Sequence, residues 1–212
     1  MDPRLIVVTD RNMIKSSSNI PFLEVIRCVA YSGATMIQLR EKNIESIEFK
    51  KLAENVQEVL LGSDCSLIIN DRLDIALVSD ARGVHFGQDD YLLPDAKTIV
   101  DTNFIFGVSA SSPELAEVAI RDGADYIGVG PAFSTKSKET SRMPIGPDGL
   151  MEMVECFPDF PIVAIGGINI KNIEQVLQSG VSGVAVIAAI MNSSSPEKVC
   201  KDMRKIIDRV IK

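Results

Sequence analysis

Eight short apolar runs recur along the chain, and they limit its fold more than any other feature. They are Leu5-Ile6-Val7-Val8, Met36-Ile37-Gln38-Leu39, Ser66-Leu67-Ile68-Ile69, Gly83-Val84-His85-Phe86, Phe104-Ile105-Phe106-Gly107-Val108, Tyr126-Ile127-Gly128-Val129, Ile162-Val163-Ala164-Ile165 and Val184-Ala185-Val186-Ile187. Each is about the length of a strand, and most are rich in β-branched residues. Their hydrophobicity is continuous rather than alternating. Strands of that kind are covered on both faces, as in a parallel sheet.

Amphipathic segments at helical spacing lie between the runs. Phe22, Ile26, Val29 and Ala30 share one face, as do Leu52, Val56, Val59 and Leu60. The same spacing relates Leu115, Val118 and Ala119, then Ile173, Val176 and Leu177, then Val199, Met203, Ile206, Ile207 and Val210. These stripes predict helices packed on a sheet. Ser32-Gly33-Ala34-Thr35, Asp122-Gly123-Ala124-Asp125 and Ser179-Gly180-Val181-Ser182 each precede a run. A glycine closing a helix before the next strand explains that repeat. Eight strand–helix units in 212 residues predict a single-domain α/β fold over residues 1–212, a (β/α)8 TIM barrel. A doubly wound sheet fits less well, because no G-x-G-x-x-G fingerprint follows the first run.

Composition removes several function classes. Lys and Arg total 22 against 29 Asp and Glu, a net charge of −7, the reverse of a nucleic-acid binder. The only histidine is His85, which excludes multi-histidine zinc sites. Cys28, Cys65, Cys156 and Cys200 form no C-x-x-C pair and read as small buried hydrophobes in a reducing cytoplasm. No apolar run reaches the roughly 20 residues that span a bilayer, so no membrane partner is expected.

In such barrels chemistry sits at the C-terminal ends of the strands, and polar residues gather there. The second run ends in Gln38-Leu39-Arg40-Glu41-Lys42; Gln38 and Arg40 alternate with Leu39 and so point into the barrel. Arg40 there either meets an anion or pairs structurally, with Glu41 the nearest candidate. The third run ends in Asn70-Asp71 and the fourth in Gln88-Asp89-Asp90. Asp71 and Asp90 are hard oxygen donors suited to Mg2+, or else a helix N-cap and a solvated turn. Ser109 ends the fifth run, and Ser112 before Pro113 is an N-cap. Gly130-Pro131 opens a loop through Thr135-Lys136-Ser137-Lys138, whose hydroxyls and lysines suit phosphate capture by a lid. Gly166-Gly167 follows the seventh run and Ile187-Ala188 the eighth, the usual phosphate site of this fold. Two anion-handling regions result, one of them suited to a diphosphate with Mg2+.

Taken in order, these strand-end motifs resemble the thiamine-phosphate synthase family over nearly the whole chain. The resemblance implies a transferase of thiamine biosynthesis. It would join a hydroxymethylpyrimidine diphosphate to a thiazole phosphate, giving thiamine phosphate and pyrophosphate through a carbocation that the thiazole nitrogen captures. It implies that Gln38, Arg40 and Lys42 hold the diphosphate with Asn70, Ser109 and Lys138. Of these, Arg40, Lys42, Ser109 and Lys138 act in catalysis. The neighbouring Leu39, Glu41 and Lys136 are counted with the substrate-binding residues. Asp71 and Asp90 would bind Mg2+. Thr135, Ser137, Gly167, Ile187 and Ala188 would surround the thiazole phosphate, and His85 would be structural or supporting. The partners expected are these two small molecules and, at most, further copies of the chain.

Four positions depart from the family pattern, one of them Ser137, which stands where a threonine is usual and keeps the hydroxyl. Ser134 stands where a proline is usual, Ser111 where a histidine commonly follows the fifth-run serine, and Ala188 where a serine is frequent. Three rival readings follow: a thiazole tautomerase-like relative, a non-catalytic phosphate-binding barrel, and a sugar-phosphate isomerase or epimerase. The tautomerase would need the histidine that Ser111 replaces. The isomerase would need an acid–base pair that the strand ends do not offer.

Overall fold

In a computed structural model, residues 1–14, 20–87, 93–135 and 143–211 are described. Eight parallel strands close into a barrel in sequence order: β1 (Leu5–Val8), β2 (Met36–Leu39), β3 (Ser66–Asn70), β4 (Gly83–Phe86), β5 (Ile105–Ser109), β6 (Tyr126–Val129), β7 (Ile162–Ile165) and β8 (Gly183–Val186). β8 pairs with β1 through Ile6 opposite Ala185, which completes the closure. The helices described are α1 (Phe22–Ala30), α2 (Ser46–Leu60), α3 (Leu73–Val78), α4 (Leu93–Ala96), α5 (Pro113–Arg121), α6 (Gly146–Cys156), α7 (Ile173–Leu177), α8 (Ala188–Met191) and α9 (Pro196–Val210). This is the (β/α)8 barrel that the repeated runs predict.

The strands are apolar throughout because both faces are covered. Outward residues such as Val7, Ile37, Leu39, Ile69, Phe106 and Ile127 pack under the helices. Inward residues Ile6, Val8, Met36, Ile68, Ile105, Tyr126, Val163 and Ala185 fill the barrel itself. The interior is therefore packed, and Gln38, Asn70 and Ser109 stand toward the C-terminal ends of their strands.

Local signals acted as expected at the caps. The Ser112 hydroxyl accepts from the Leu115 N–H, with Pro113 in the first turn of α5. Gly33 ends α1 at a φ of +116°, and Gly123 follows α5 at +97°, conformations that other residues adopt only with strain.

Some expectations fail. Leu115 of α5 is exposed, and the buried face carries Ala116 and Ala119; two alanines let the helix approach the barrel closely. Cys156 is exposed at the end of α6 and Cys28 is half-buried, so only Cys65 and Cys200 are core hydrophobes. Burial pushes the Cys65 and Cys200 thiols up to about 12, which makes them poor nucleophiles. Ile187 lies beyond β8 and caps α8. Asp71 does not cap α3, since Arg72 holds that position. Among the described residues no helix is long and apolar enough to cross a membrane.

Candidate active site

Gln38, Asn70 and His85 belong to the inward-facing set of their strands and are buried, while Ser109 ends β5 at the mouth. A pocket open to the mouth has Gln38, His85, Ser109 and Tyr126 as its polar lining and Ile6, Val163, Ile165 and Ala185 as apolar walls. Gly107 and Gly128 create the room. A Cβ at Gly107 would stand 2.2 Å from Tyr126 Cζ and 2.5 Å from His85 Nδ1, and one at Gly128 would stand 3.2 Å from His85 Cε1. Two missing side chains thus admit two rings.

The end of β2 is braced by the end of β1. Thr9, fully buried, donates its N–H to the Gln38 carbonyl at 2.9 Å, and its Oγ1 accepts the Arg40 N–H at 2.9 Å. Arg11 grips Glu41 through two bonds of 2.7 and 2.8 Å. Glu41 is thereby committed, and Arg40 enters none of the salt bridges among the described residues. Of the two readings for Arg40, structural pairing with Glu41 is excluded. The Leu39 side chain is fully buried beneath the helices, so only its backbone faces the site. Thr9→Val keeps the shape but removes the acceptor for Arg40. It should lower stability by about 1–2 kcal/mol and raise the half-saturation for whatever anion Arg40 holds, measured by thermal melting and steady-state kinetics.

Asp71 follows β3 in the left-handed region, with φ at +64°. Its N–H donates to the His85 carbonyl at 2.9 Å, and its Oδ2 accepts from Lys42 Nζ at 2.5 Å. A non-glycine residue held there has its carboxylate aimed by the backbone, a strain that clusters at functional sites. The structure thus joins Lys42 and Asp71, which the sequence assigned separately to diphosphate and metal.

The Gly166-Gly167 turn has a different structural basis from the one its sequence suggests. Both residues have positive φ, and a Cβ on Gly167 would meet the Ser134 carbonyl at 2.7 Å. The Phe133 N–H donates to the Gly166 carbonyl at 3.0 Å, while Asn172 Nδ2 donates to the Gly167 carbonyl at 3.0 Å. The glycines bring the loop after β6 flush against the loop after β7, with Thr135 at that seam. Ala188 is exposed at the start of α8, and Ile187 is half-buried before it. Asp90, Lys136, Ser137 and Lys138 lie outside the described residues.

Sequence reasoning missed Thr9, Arg11 and Tyr126. Thr9 is the first polar residue after the first run, so the strand-end rule would have found it. Tyr126 was readable only as part of an apolar run; its inward direction depends on register.

The thiamine monophosphate synthase family pattern matches residues 5–190. The thiamine-phosphate synthase of Clostridium novyi is 40% identical over 152 residues, 72% of this chain and 73% of that protein. The thiamine biosynthetic bifunctional enzyme TH1 of Arabidopsis thaliana is 43% identical over 151 residues, which span 71% of this chain and only 28% of that longer protein. The solved thiamine phosphate pyrophosphorylase of Pyrococcus furiosus superposes with a TM-score of 0.88 at 37% identity, covering 100% of this chain and 98% of that one. On barrel, strand-end motifs and these relatives together, the chain belongs to the thiamine monophosphate synthase family and is a transferase of thiamine biosynthesis.

Proposed function

We propose that the chain condenses 4-amino-2-methyl-5-hydroxymethylpyrimidine diphosphate with 4-methyl-5-(2-phosphooxyethyl)thiazole, releasing pyrophosphate. One observation carries this reading best. Gln38, Arg40, Lys42, Asn70, Asp71 and Ser109 converge on one mouth, with Arg40 outside the salt bridges of the described residues. A cation so placed at a strand-end mouth suits a substrate that carries an anionic leaving group.

In this reading the C–O bond to the diphosphate breaks heterolytically, and the electron pair leaves with pyrophosphate. The thiazole nitrogen then donates its lone pair to the pyrimidine methylene cation. No proton has to be removed, which fits a site whose only imidazole already sits against Tyr126 and Ser109. Arg40 and Lys42, with Lys138, neutralise charge growing on the leaving group, while Asn70 and Ser109 donate hydrogen bonds to it. Gln38 and the buried walls orient the ring. Thr135, Ser137, Gly167, Ile187 and Ala188 would bind the thiazole phosphate, the last two through backbone.

The residues present fit Mg2+. Asp71 offers a hard carboxylate at the mouth, and no cluster of three His, Cys, Asp or Glu occurs among the described residues. Mg2+ keeps waters and substrate phosphate oxygens and needs only one or two carboxylates, here Asp71 with Asp90. When bound, it supplies positive charge to the departing diphosphate.

The test is purified protein with both substrates and Mg2+, followed for thiamine phosphate and pyrophosphate. Equimolar appearance of both products is expected, with loss of turnover in EDTA and recovery on adding Mg2+. Absence of pyrophosphate would refute the condensation, and full activity in EDTA would remove the metal.

A further inference from the structure

The single histidine occupies an unusual position for a group with no proton to move. His85 Nδ1 lies 3.0 Å from Tyr126 Oη, and Nε2 lies 3.0 Å from Ser109 Oγ. The imidazole is buried and spans the distance between a phenol deep in the barrel and a hydroxyl at its mouth. Glycines at 107 and 128 make the space for this arrangement, and a Cβ at Gly107 would strike both rings. The barrel has left out two side chains to hold this row.

A neutral imidazole has one N–H, so the row has a direction. In one direction the Tyr126 O–H donates to Nδ1, Nε2–H donates to Ser109 Oγ, and the Ser109 hydrogen is released toward the mouth. In the other, Ser109 donates to Nε2 and turns only lone pairs outward. An anion at the mouth is held by the first and repelled by the second. Full burial pushes the Tyr126 phenol well above its ordinary pKa, against a smaller lowering from the Gln38 side chain. Tyr126 therefore keeps its proton, and His85 Nδ1 at 3.0 Å is the acceptor placed for it.

We infer that Tyr126 and His85 are positioning residues, a hydrogen-bond relay that holds the Ser109 hydroxyl as a donor to the substrate diphosphate. The inference rests on the proposed assignment of Ser109 to that diphosphate. It adds that the serine's donor direction is set from inside the barrel, by the phenol on the far side of the imidazole.

Because His85 is the only histidine, its ring nitrogens can be read without ambiguity by 15N NMR of the whole protein. Wild type should show a pyrrole-type Nε2 and a pyridine-type Nδ1; the opposite tautomer would overturn the relay. Tyr126→Phe preserves the ring and removes the phenol. It should raise the half-saturation for the pyrimidine diphosphate by about tenfold and leave that for the thiazole phosphate nearly unchanged. In a Ser109→Ala background the same substitution should have no further effect. An undiminished effect there would mean that Tyr126 acts through packing, against the relay. The two readings fail differently. Ser109→Ala with wild-type half-saturation for the diphosphate would overturn the serine's assignment, whereas the wrong tautomer would overturn the relay alone.

Discussion

Asp71→Asn should cost about a hundredfold or more in turnover while leaving the fold as stable as before. The expectation comes from two properties of one residue. Asp71 sits at a φ of +64°, and its carboxylate meets Lys42 at 2.5 Å at the barrel mouth. Asparagine tolerates the left-handed region as well as aspartate does, so the backbone is not penalised. The ion pair that is lost has a half-exposed lysine (49% exposed) against a 16% exposed carboxylate. Solvent screening holds its worth to about 0–1 kcal/mol. Against that stands loss of a charged oxygen ligand in the proposed diphosphate and Mg2+ site. The thermal midpoint should move by less than about 3 °C, and the Mg2+ concentration for half-maximal activity should rise. Turnover near wild type would remove Asp71 from the chemistry. A large drop in the midpoint would make it a structural residue instead.

Gly107→Ala should be strongly destabilising. The new Cβ would stand 2.2 Å from Tyr126 Cζ and 2.4 Å from Tyr126 Oη, both inside van der Waals contact. Tyr126 is fully buried and cannot swing away. Overpacking of this kind costs about 1–3 kcal/mol, which in a domain of this size lowers the midpoint by roughly 2–12 °C. Turnover should fall with it, because the rings that must shift are the ones against Ser109. Thermal melting and kinetics at a temperature where the variant is still folded would separate the two losses. An unchanged midpoint would show that the barrel relaxes there, contrary to the packing just described.

Much of this protein was legible before any coordinates. Gln38, Arg40, Asn70, Asp71 and Ser109 were found by one rule: read the polar residue where an apolar run ends. The rule works because a barrel's interior is packed below and open above. It left two readings open at Asp71, ligand or helix cap, and the backbone settles only that Asp71 does not cap α3. It was silent on Arg11 and Glu41, whose pairing joins two loops 30 residues apart. It also misjudged α5, where Leu115 looked like core and Ala116 and Ala119 are, because the tightness of helix-to-barrel contact selects small residues and hydropathy does not register distance.

By itself, the sequence determined the barrel, the number and order of its strands, and the end at which chemistry gathers. Continuous apolar runs leave few other ways to be buried on both faces. Only the tertiary structure decided which polar groups are engaged with one another. Arg11 takes Glu41, so Arg40 stays clear of it; Lys42 and Asp71 form one unit; His85 links Tyr126 to Ser109. Those pairings depend on strand register, and on a glycine at 107 whose missing side chain leaves room for two rings. Such relations exist only once distant segments have closed into a circle.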